Sequence, residues 1–108
     1  MPTLFLSAPK IKTLGGSGFY RTFDTIVRNG VGPDYGIATT LIARVYPGMR
    51  VVVFDRDQRR CAEGVVVEHT PTVKAGNGVQ RYNVQIRNLT ETSYTNPPKV
   101  NHFGVAVN

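Results

Sequence analysis

The fold is decided by residues 48–88, which read GMRVVVFDRDQRRCAEGVVVEHTPTVKAGNGVQRYNVQIRN. Three runs rich in Val, Ile, Phe and Tyr are separated there by polar segments with Gly, Asp and Asn, a pattern typical of consecutive antiparallel strands. The first two runs, residues 51–54 and 65–67, are apolar throughout, which predicts that both of their faces are covered. The third run alternates, and places Arg81, Asn83, Gln85 and Arg87 opposite Tyr82, Val84 and Ile86. The stretch therefore predicts a β-meander whose last strand has one polar face.

Segments on either side of the meander extend the β-rich pattern. Apolar runs at residues 4–6 and 19–28 predict two further strands, and residues 100–107 predict a closing strand. The breaks between these elements are rich in Gly, Pro and Asn, whose backbone preferences favour turns, and they fall at residues 15–18, 29–34 and 94–98. No repeat or linker divides the chain.

Residues 35–46 fit two patterns. Apolar side chains recur at helical spacing after Asp34, a residue type that caps helices, and Pro47 follows as a natural stop. The same segment is also rich in β-branched residues and alternates at its odd positions, as a strand does. We predict a short helix near residues 35–45.

Size and composition indicate one domain. The 108 residues are 41% hydrophobic and 19% charged, as in a globular protein that buries a real but thin core. The single cysteine, Cys61, excludes an internal disulfide and favours a reducing compartment. No apolar run approaches the roughly 20 residues that span a bilayer, and the N-terminus lacks the pattern of a secretion signal. The sequence predicts a cytoplasmic protein with no membrane association.

The basic balance favours an anionic partner. The formal charge is +6, and Arg outnumbers Lys by nine to four. Guanidinium groups bind phosphate in bidentate geometry and stack on flat rings, whereas ammonium groups do not. The polar turn at residues 56–60 also has the pattern of a solvated hairpin tip that Asp55 and Asp57 partly neutralise. Candidate contacts to a nucleic-acid backbone are Arg56, Arg59, Arg60 and Lys74.

A second candidate surface is the polar face of the third meander strand. Its amides could read base edges, and its arginines could contact phosphate or guanine, although ordinary alternation at a solvent-facing sheet explains the same pattern. Tyr20 and Tyr35 flank glycine-containing loops, which favours exposure and stacking on a base. The candidate ligand-binding residues are Arg81, Asn83, Gln85, Arg87, Arg50, Tyr20 and Tyr35.

Catalytic and metal-binding patterns are weak. A thiol–imidazole pair would need Cys61 with His69 or His102, and Cys61 and His69 lie too far apart along one strand to hydrogen bond. Two isolated histidines do not suggest a metal site. The Gly15–Gly16–Ser17–Gly18 loop lacks the Gly-Lys-Ser/Thr of a phosphate-binding loop, and a turn is the better interpretation. We predict no catalytic residue, metal or cofactor.

The runs YPGMRVVVF at residues 46–54 and AEGVVVE at residues 62–68 resemble the central part of PUA-like barrels. In the ASCH and EVE branches of that family, a Pro-Gly-Asp turn starts a strand that pairs with a Gly-led hydrophobic strand. This chain has Met49 in place of the Asp and lacks the Trp found near many EVE pockets. The resemblance implies a pseudobarrel that binds RNA or a nucleotide-like ligand.

The sequence thus predicts a single mainly β or α+β domain over residues 1–108, a small antiparallel barrel or curved sheet of five to six strands with one short helix. The predicted function is a non-catalytic binding module for nucleic acid or a nucleotide-like anion. The alternative is a small-molecule-binding or accessory barrel with an apolar or mixed cavity. A symmetric homodimer is also predicted, because apolar strands leave unpaired edges and residues 79–88 carry no blocking Lys or Pro.

Overall fold

The computed structural model describes residues 2–8, 22–74, 78–101 and 103–108. Its strands form one curled sheet in the order β2-β5-β4-β3-β1-β6, which confirms the predicted curved sheet. The elements, in chain order, are β1 (Thr3–Ser7), α1 (Phe23–Asn29), β2 (Val31–Gly36), α2 (Thr39–Ile42), β3 (Arg50–Asp55), β4 (Arg60–Lys74), β5 (Gln80–Thr92) and β6 (Val105–Val107).

The predicted meander forms the middle of the sheet. β3 pairs antiparallel with β4, and β4 pairs antiparallel with β5. One departure from the antiparallel expectation is β1, which lies between β3 and β6 and pairs parallel with β3, from Thr3 opposite Arg50 to Ser7 opposite Phe54. A parallel pair needs a long crossover, and the chain between β1 and β3 contains both helices and β2.

The two faces of the sheet differ. The inner face buries the main core, which α1 covers with Phe23 and Ile26. The outer face carries a smaller cluster of Val52, Phe54 and Cys61, against which Phe5, Tyr94 and Val100 pack. Both faces of residues 51–54 are therefore covered, as predicted. The same prediction is wrong for residues 65–67, because Val67 is 42% exposed.

The strand predicted at residues 19–28 is wrong for its described part, which begins at Thr22 and forms α1. Thr22 caps this helix, its Oγ1 accepting the Thr25 N–H at 3.4 Å. Gly30 ends it with φ 68° and donates its N–H to the Ile26 carbonyl at 2.8 Å. The β-branched residues of this segment suggested a strand, but the cap and the three-residue spacing of Phe23 and Ile26 fit one helix turn.

The break predicted at residues 31–34 is a strand instead. β2 accommodates Pro33 and Asp34 through a register shift between Gly32 and Tyr35, and proline is tolerated in sheets at such edges and irregularities. The helix predicted at residues 35–45 is only the single turn α2, because β2 continues to Gly36. With α1, the described residues thus contain two helices rather than one.

The C-terminal strand is shorter than predicted. It covers Val105–Val107, whereas residues 100–101 and 103–104 lie outside any strand. His102 lies outside the described residues, as do the Gly15–Gly18 loop, Phe19 and Tyr20. Phe103 packs against the far edge of the sheet, because a Cβ added at Gly36 on β2 would meet its ring at 2.9 Å. The first and last strands of the sheet order therefore approach each other.

The homodimer prediction rests partly on residues 79–88 as an unblocked edge strand, and the sheet order does not place them at an edge. β5 lies between β2 and β4, so residues 80–88 belong to an interior strand, and the ends of the sheet order are β2 and β6.

Among the described residues, no helix has the length and apolar character needed to cross a membrane.

Candidate nucleic-acid interface

The turn between β3 and β4 presents three arginines. Asp55 shapes it, since its Oδ1 accepts the N–H groups of Asp57 at 3.0 Å and Gln58 at 3.2 Å. Side-chain bonding of this kind to the next two or three residues is what favours Asp in turns. Arg59 then takes a left-handed conformation with φ 53°, and the chain enters β4 at Arg60.

Arg56 and Arg59, which we call the arginine pair, lie on the outer face. The Arg56 Cζ is 5.3 Å from the centroid of the Phe54 ring, and the Arg59 Cζ is 4.8 Å from that of Tyr94. Stacking of this kind is attractive and fixes the plane of the guanidinium group. Within the described part of the chain, neither arginine has a carboxylate at ion-pair distance. Their N–H groups therefore remain open to an external anion, apart from one that donates to Pro98.

Arg60 lies on the inner side of the same turn and is fully engaged. Its Nε and Nη2 donate to the Glu91 carboxylate at 3.0 and 2.8 Å, and its Nη1 lies 2.9 Å from Asp24 Oδ1. Its Cζ sits 4.7 Å from the centroid of Phe23. The hydrogen bonds that Arg60 donates to Glu91 raise the pKa of Arg60 and lower the pKa of Glu91. Arg60 thus links α1, through Asp24, to the end of β5, through Glu91.

Residues 93–100, which we call the strap, cross the outer face beside the arginine pair. The strap is held by Arg56 Nη2, which donates to the Pro98 carbonyl at 3.2 Å, and by packing of Tyr94 and Val100 on the outer cluster. Cys61 is buried beneath it, with its Sγ 3.8 Å from the Thr95 carbonyl. These surroundings fit a structural thiol.

The polar row of β5 divides into two halves. Arg81 Nη1 donates to the Asp34 carbonyl at 2.8 Å, and Asn83 Oδ1 accepts the Asp34 N–H at 3.0 Å. Both side chains replace ladder hydrogen bonds at the irregular part of β2. Gln85 and Arg87 are exposed. Only the second half of the row is therefore a free polar surface.

Asp34 itself is a feature that the sequence did not reveal. It is 3% exposed and has φ 54°, a strained conformation for a residue with a side chain. Its Oδ1 accepts the Thr72 hydroxyl at 2.7 Å, which links β2 to β4 across the intervening β5. These hydrogen bonds stabilise the irregular part of β2 and connect it to β4.

A groove of about 590 Å³ lies on the outer face, where the start of β3, the first half of β4 and the end of β5 meet. Two of its lining residues form an ion pair: Arg50 donates from Nε and Nη2 to Glu63 at 2.7 and 3.0 Å, and the two side chains are 48% and 44% exposed. The ion pair raises the pKa of Arg50 and lowers that of Glu63. The lining residues are Gly48, Arg50, Glu63, Gly64, Val65, Asn88, Thr90, Glu91 and Thr92.

The remaining predicted residues do not join these surfaces. The prediction that Tyr35 is exposed is wrong, because its ring is fully buried and its hydroxyl donates to the Ser7 carbonyl at 2.9 Å. Tyr20 lies outside the described residues, and so does the side chain of Lys74. His69 packs edge-on against Tyr82 with ring centroids 5.5 Å apart, and its Nδ1 is buried without a hydrogen-bond partner among the residues that the structure describes. Over the described ranges, no three His, Cys, Asp or Glu side chains are grouped to hold a metal.

Comparison of this chain with protein-family models, with curated proteins and with solved structures finds no match. The outer face brings together the candidate contacts for a ligand. That face carries the arginine pair, the groove and the exposed Arg87, whose β4 partner Val65 is also the partner of Arg50.

Proposed function

We propose that this protein is a non-catalytic binding module for nucleic acid or a nucleotide-like anion, with the arginine pair as its phosphate contacts. The observation that carries the proposal is that both guanidinium groups lie against aromatic rings with no carboxylate partner among the described residues. Prior positioning reduces the entropy lost when a side chain is ordered by its ligand. Arginine held in this way suits bidentate contact with phosphate.

The surrounding charges support an anionic ligand. The chain has a formal charge of +6, and exposed Arg87 and Lys99 add cations to the outer face and to the strap. Asp55 and Asp57 lie on the same turn, but Asp55 accepts two backbone N–H groups there. The resemblance of residues 46–54 and 62–68 to PUA-like barrels points to the same class of ligand.

The test is a titration of the double variant Arg56→Gln/Arg59→Gln against fluorescent RNA and DNA oligonucleotides at several salt concentrations. We expect the dissociation constant to rise about tenfold or more, since two charge-assisted contacts are lost. The slope of log affinity against log salt should fall by about 1.4 to 1.8, because each phosphate contact releases about 0.7 to 0.9 counterion.

The matched control is Arg28→Gln/Arg44→Gln, which removes the same charge from exposed positions in α1 and after α2. This control should retain most of the affinity. An equal loss in both double variants would show only general attraction by net charge. Absence of wild-type binding at low salt would refute the proposal.

A second candidate is small-molecule binding in the outer-face groove. Its volume of about 590 Å³ lies within the usual range of small-molecule sites, about 300 to 1,000 Å³. The lining combines an ion pair and hydroxyl groups with Val65, which makes it mixed rather than apolar. This function predicts that a ligand raises the melting temperature of the protein with little dependence on salt, and that the Arg56→Gln/Arg59→Gln variant responds equally.

A further inference from the structure

We infer that the bound nucleic acid is single-stranded and that the outer-face groove receives one of its bases, with a preference for bases that carry an exocyclic amino group. The inference rests on the proposed function and extends it from the phosphate contacts to the base. It assigns a role in base recognition to Glu63, which sequence reasoning did not select as a binding residue.

The groove and the arginine pair form one continuous surface. Thr92 lines the groove, and Tyr94, on which Arg59 stacks, follows two residues later. Two residues of extended chain span about 7 Å. A ligand that contacts Arg59 through a phosphate can therefore place a neighbouring base in the groove without leaving the outer face.

The groove is not suited to phosphate. Arg50 is the one cation among the described residues of its lining, and the Glu63 carboxylate, 44% exposed, already neutralises it through two hydrogen bonds, so the lining offers a phosphate no unpaired positive charge. The same carboxylate oxygens can accept hydrogen bonds from an amino group, as acidic side chains do from cytosine N4. The Thr90 hydroxyl, which donates to the Asn88 carbonyl at 3.2 Å, can accept a hydrogen bond. The Thr92 hydroxyl can donate or accept, and Val65 supplies apolar contact.

These properties favour a single strand over a duplex. In a duplex the bases are stacked and paired, and the phosphates form its outermost surface, so a duplex laid on this face would bring phosphate toward Glu63. In a single strand the bases can turn out of the stack and enter a concave site. The flat, open side of the Arg59 guanidinium offers a further plane for stacking.

The experiment uses fluorescein-labelled oligomers of equal length: oligodeoxycytidylate, oligothymidylate, an abasic strand and a mixed-sequence duplex. Cytosine and thymine have similar size, but only cytosine has an exocyclic amino group. For the wild-type protein we expect the cytidylate oligomer to bind about fivefold or more tightly than the thymidylate one. The abasic strand and the duplex should bind more weakly than both.

The deciding variant is Glu63→Gln, and its control is Glu68→Gln, which removes the same charge from an exposed position on β4 beyond the groove. Glu63→Gln should reduce the preference for cytidylate to within about twofold, whereas Glu68→Gln should retain it. If Glu63→Gln lowers the melting temperature, Thr90→Val provides a second test, and it should weaken binding of both base-bearing oligomers but not of the abasic strand.

The outcomes separate the two proposals. Equal binding of the abasic strand, the duplex and the base-bearing oligomers, still lost in Arg56→Gln/Arg59→Gln, would overturn the groove assignment and leave the phosphate-binding function standing. A cytidylate preference that survives Glu63→Gln would also overturn it. Failure of every oligomer to bind would refute the proposed function itself.

Discussion

Arg59 and Arg60 are neighbours in the chain, yet the fold gives them opposite surroundings. Arg60 lies on the inner side of the β3–β4 turn between Asp24 and Glu91 and over Phe23. Arg59 lies on the outer side over Tyr94, without a carboxylate partner among the described residues. The difference follows from the alternation of side chains where the turn enters a strand. A cluster of arginines in a sequence can therefore contain both a structural residue and a ligand-binding one.

Removing the aromatic ring beneath each arginine, Phe23 under Arg60 and Tyr94 under Arg59, should give the largest difference between a structural and a ligand-binding role. Phe23→Ala removes a ring that is 3% exposed and should lower the free energy of unfolding by about 3 to 5 kcal/mol. Tyr94→Ala should cost less stability, because Tyr94 is only partly buried, but should weaken oligonucleotide binding by releasing Arg59. Urea denaturation and anisotropy titration measure the two effects. If the Tyr94→Ala variant binds oligonucleotides as tightly as the wild-type protein, stacking on Tyr94 does not prepare Arg59 for ligand binding.

The polar row of β5 also contains neighbouring residues with different roles, and we expect a smaller difference in stability between their variants. Asn83→Ala leaves the Asp34 N–H without its side-chain acceptor and should lower the free energy of unfolding by about 1 to 2 kcal/mol. Gln85→Ala, two residues along the same strand, changes an exposed side chain and should stay within about 0.5 kcal/mol. Thermal melts of the two variants measure this difference in stability. Equal melting temperatures would mean that the row is not divided.

The smallest expected effect is the pH dependence of the Arg60 cluster. Hydrogen bonds from Arg60 lower the pKa of Glu91 in the folded protein, so folding favours the ionised carboxylate. This contribution is present above the unfolded pKa of about 4.3 and is lost as the pH falls through the lower folded pKa. Because the Glu91 carboxylate is exposed, solvent screening keeps this contribution small.

Melting temperatures measured between about pH 6 and pH 3 should therefore fall less steeply for Arg60→Gln than for the wild-type protein. The control is Arg59→Gln, which has no carboxylate partner in the described ranges and should follow the wild-type curve. Matching slopes for all three proteins would show that the Arg60 ion pairs add nothing to stability.

The sequence predicted the parts of the fold that depend on local pattern. The meander follows from apolar runs separated by turn residues, and the direction of Val84 and Ile86 follows from alternation. The strand prediction is wrong for residues 22–28, because Thr25, Ile26 and Val27 are strand formers and the helix depends on its cap and its packing against the sheet. Local propensity is weak where tertiary contacts compete with it.

The candidate site was predictable only in part. The polar turn identified Arg56 and Arg59, but the role of Arg60 depends on Asp24 and Glu91, which are distant in sequence. The groove depends on strand register, which places Glu63 beside Val52 on β3 and Thr90 on β5. The split of the β5 row depends on the irregularity at Asp34. Each of these features is set by pairing between strands, which a single sequence does not display.

The position of β1 also sets the order in which this sheet can be completed. Leu4 pairs with Val107, and the backbones of Thr3 and Asn108 exchange hydrogen bonds of 2.7 and 2.9 Å. Contacts across so much sequence cost loop-closure entropy before they contribute stability, and folds dominated by them usually fold in milliseconds to seconds. During synthesis β1 emerges before its sheet neighbours, since all of α1, β2 and α2 precede β3 and β6 follows every other described strand. Before β3 is synthesised, β1 lacks a strand to pair with, and its apolar side chains, including Leu4 and Leu6, cannot be buried against the sheet.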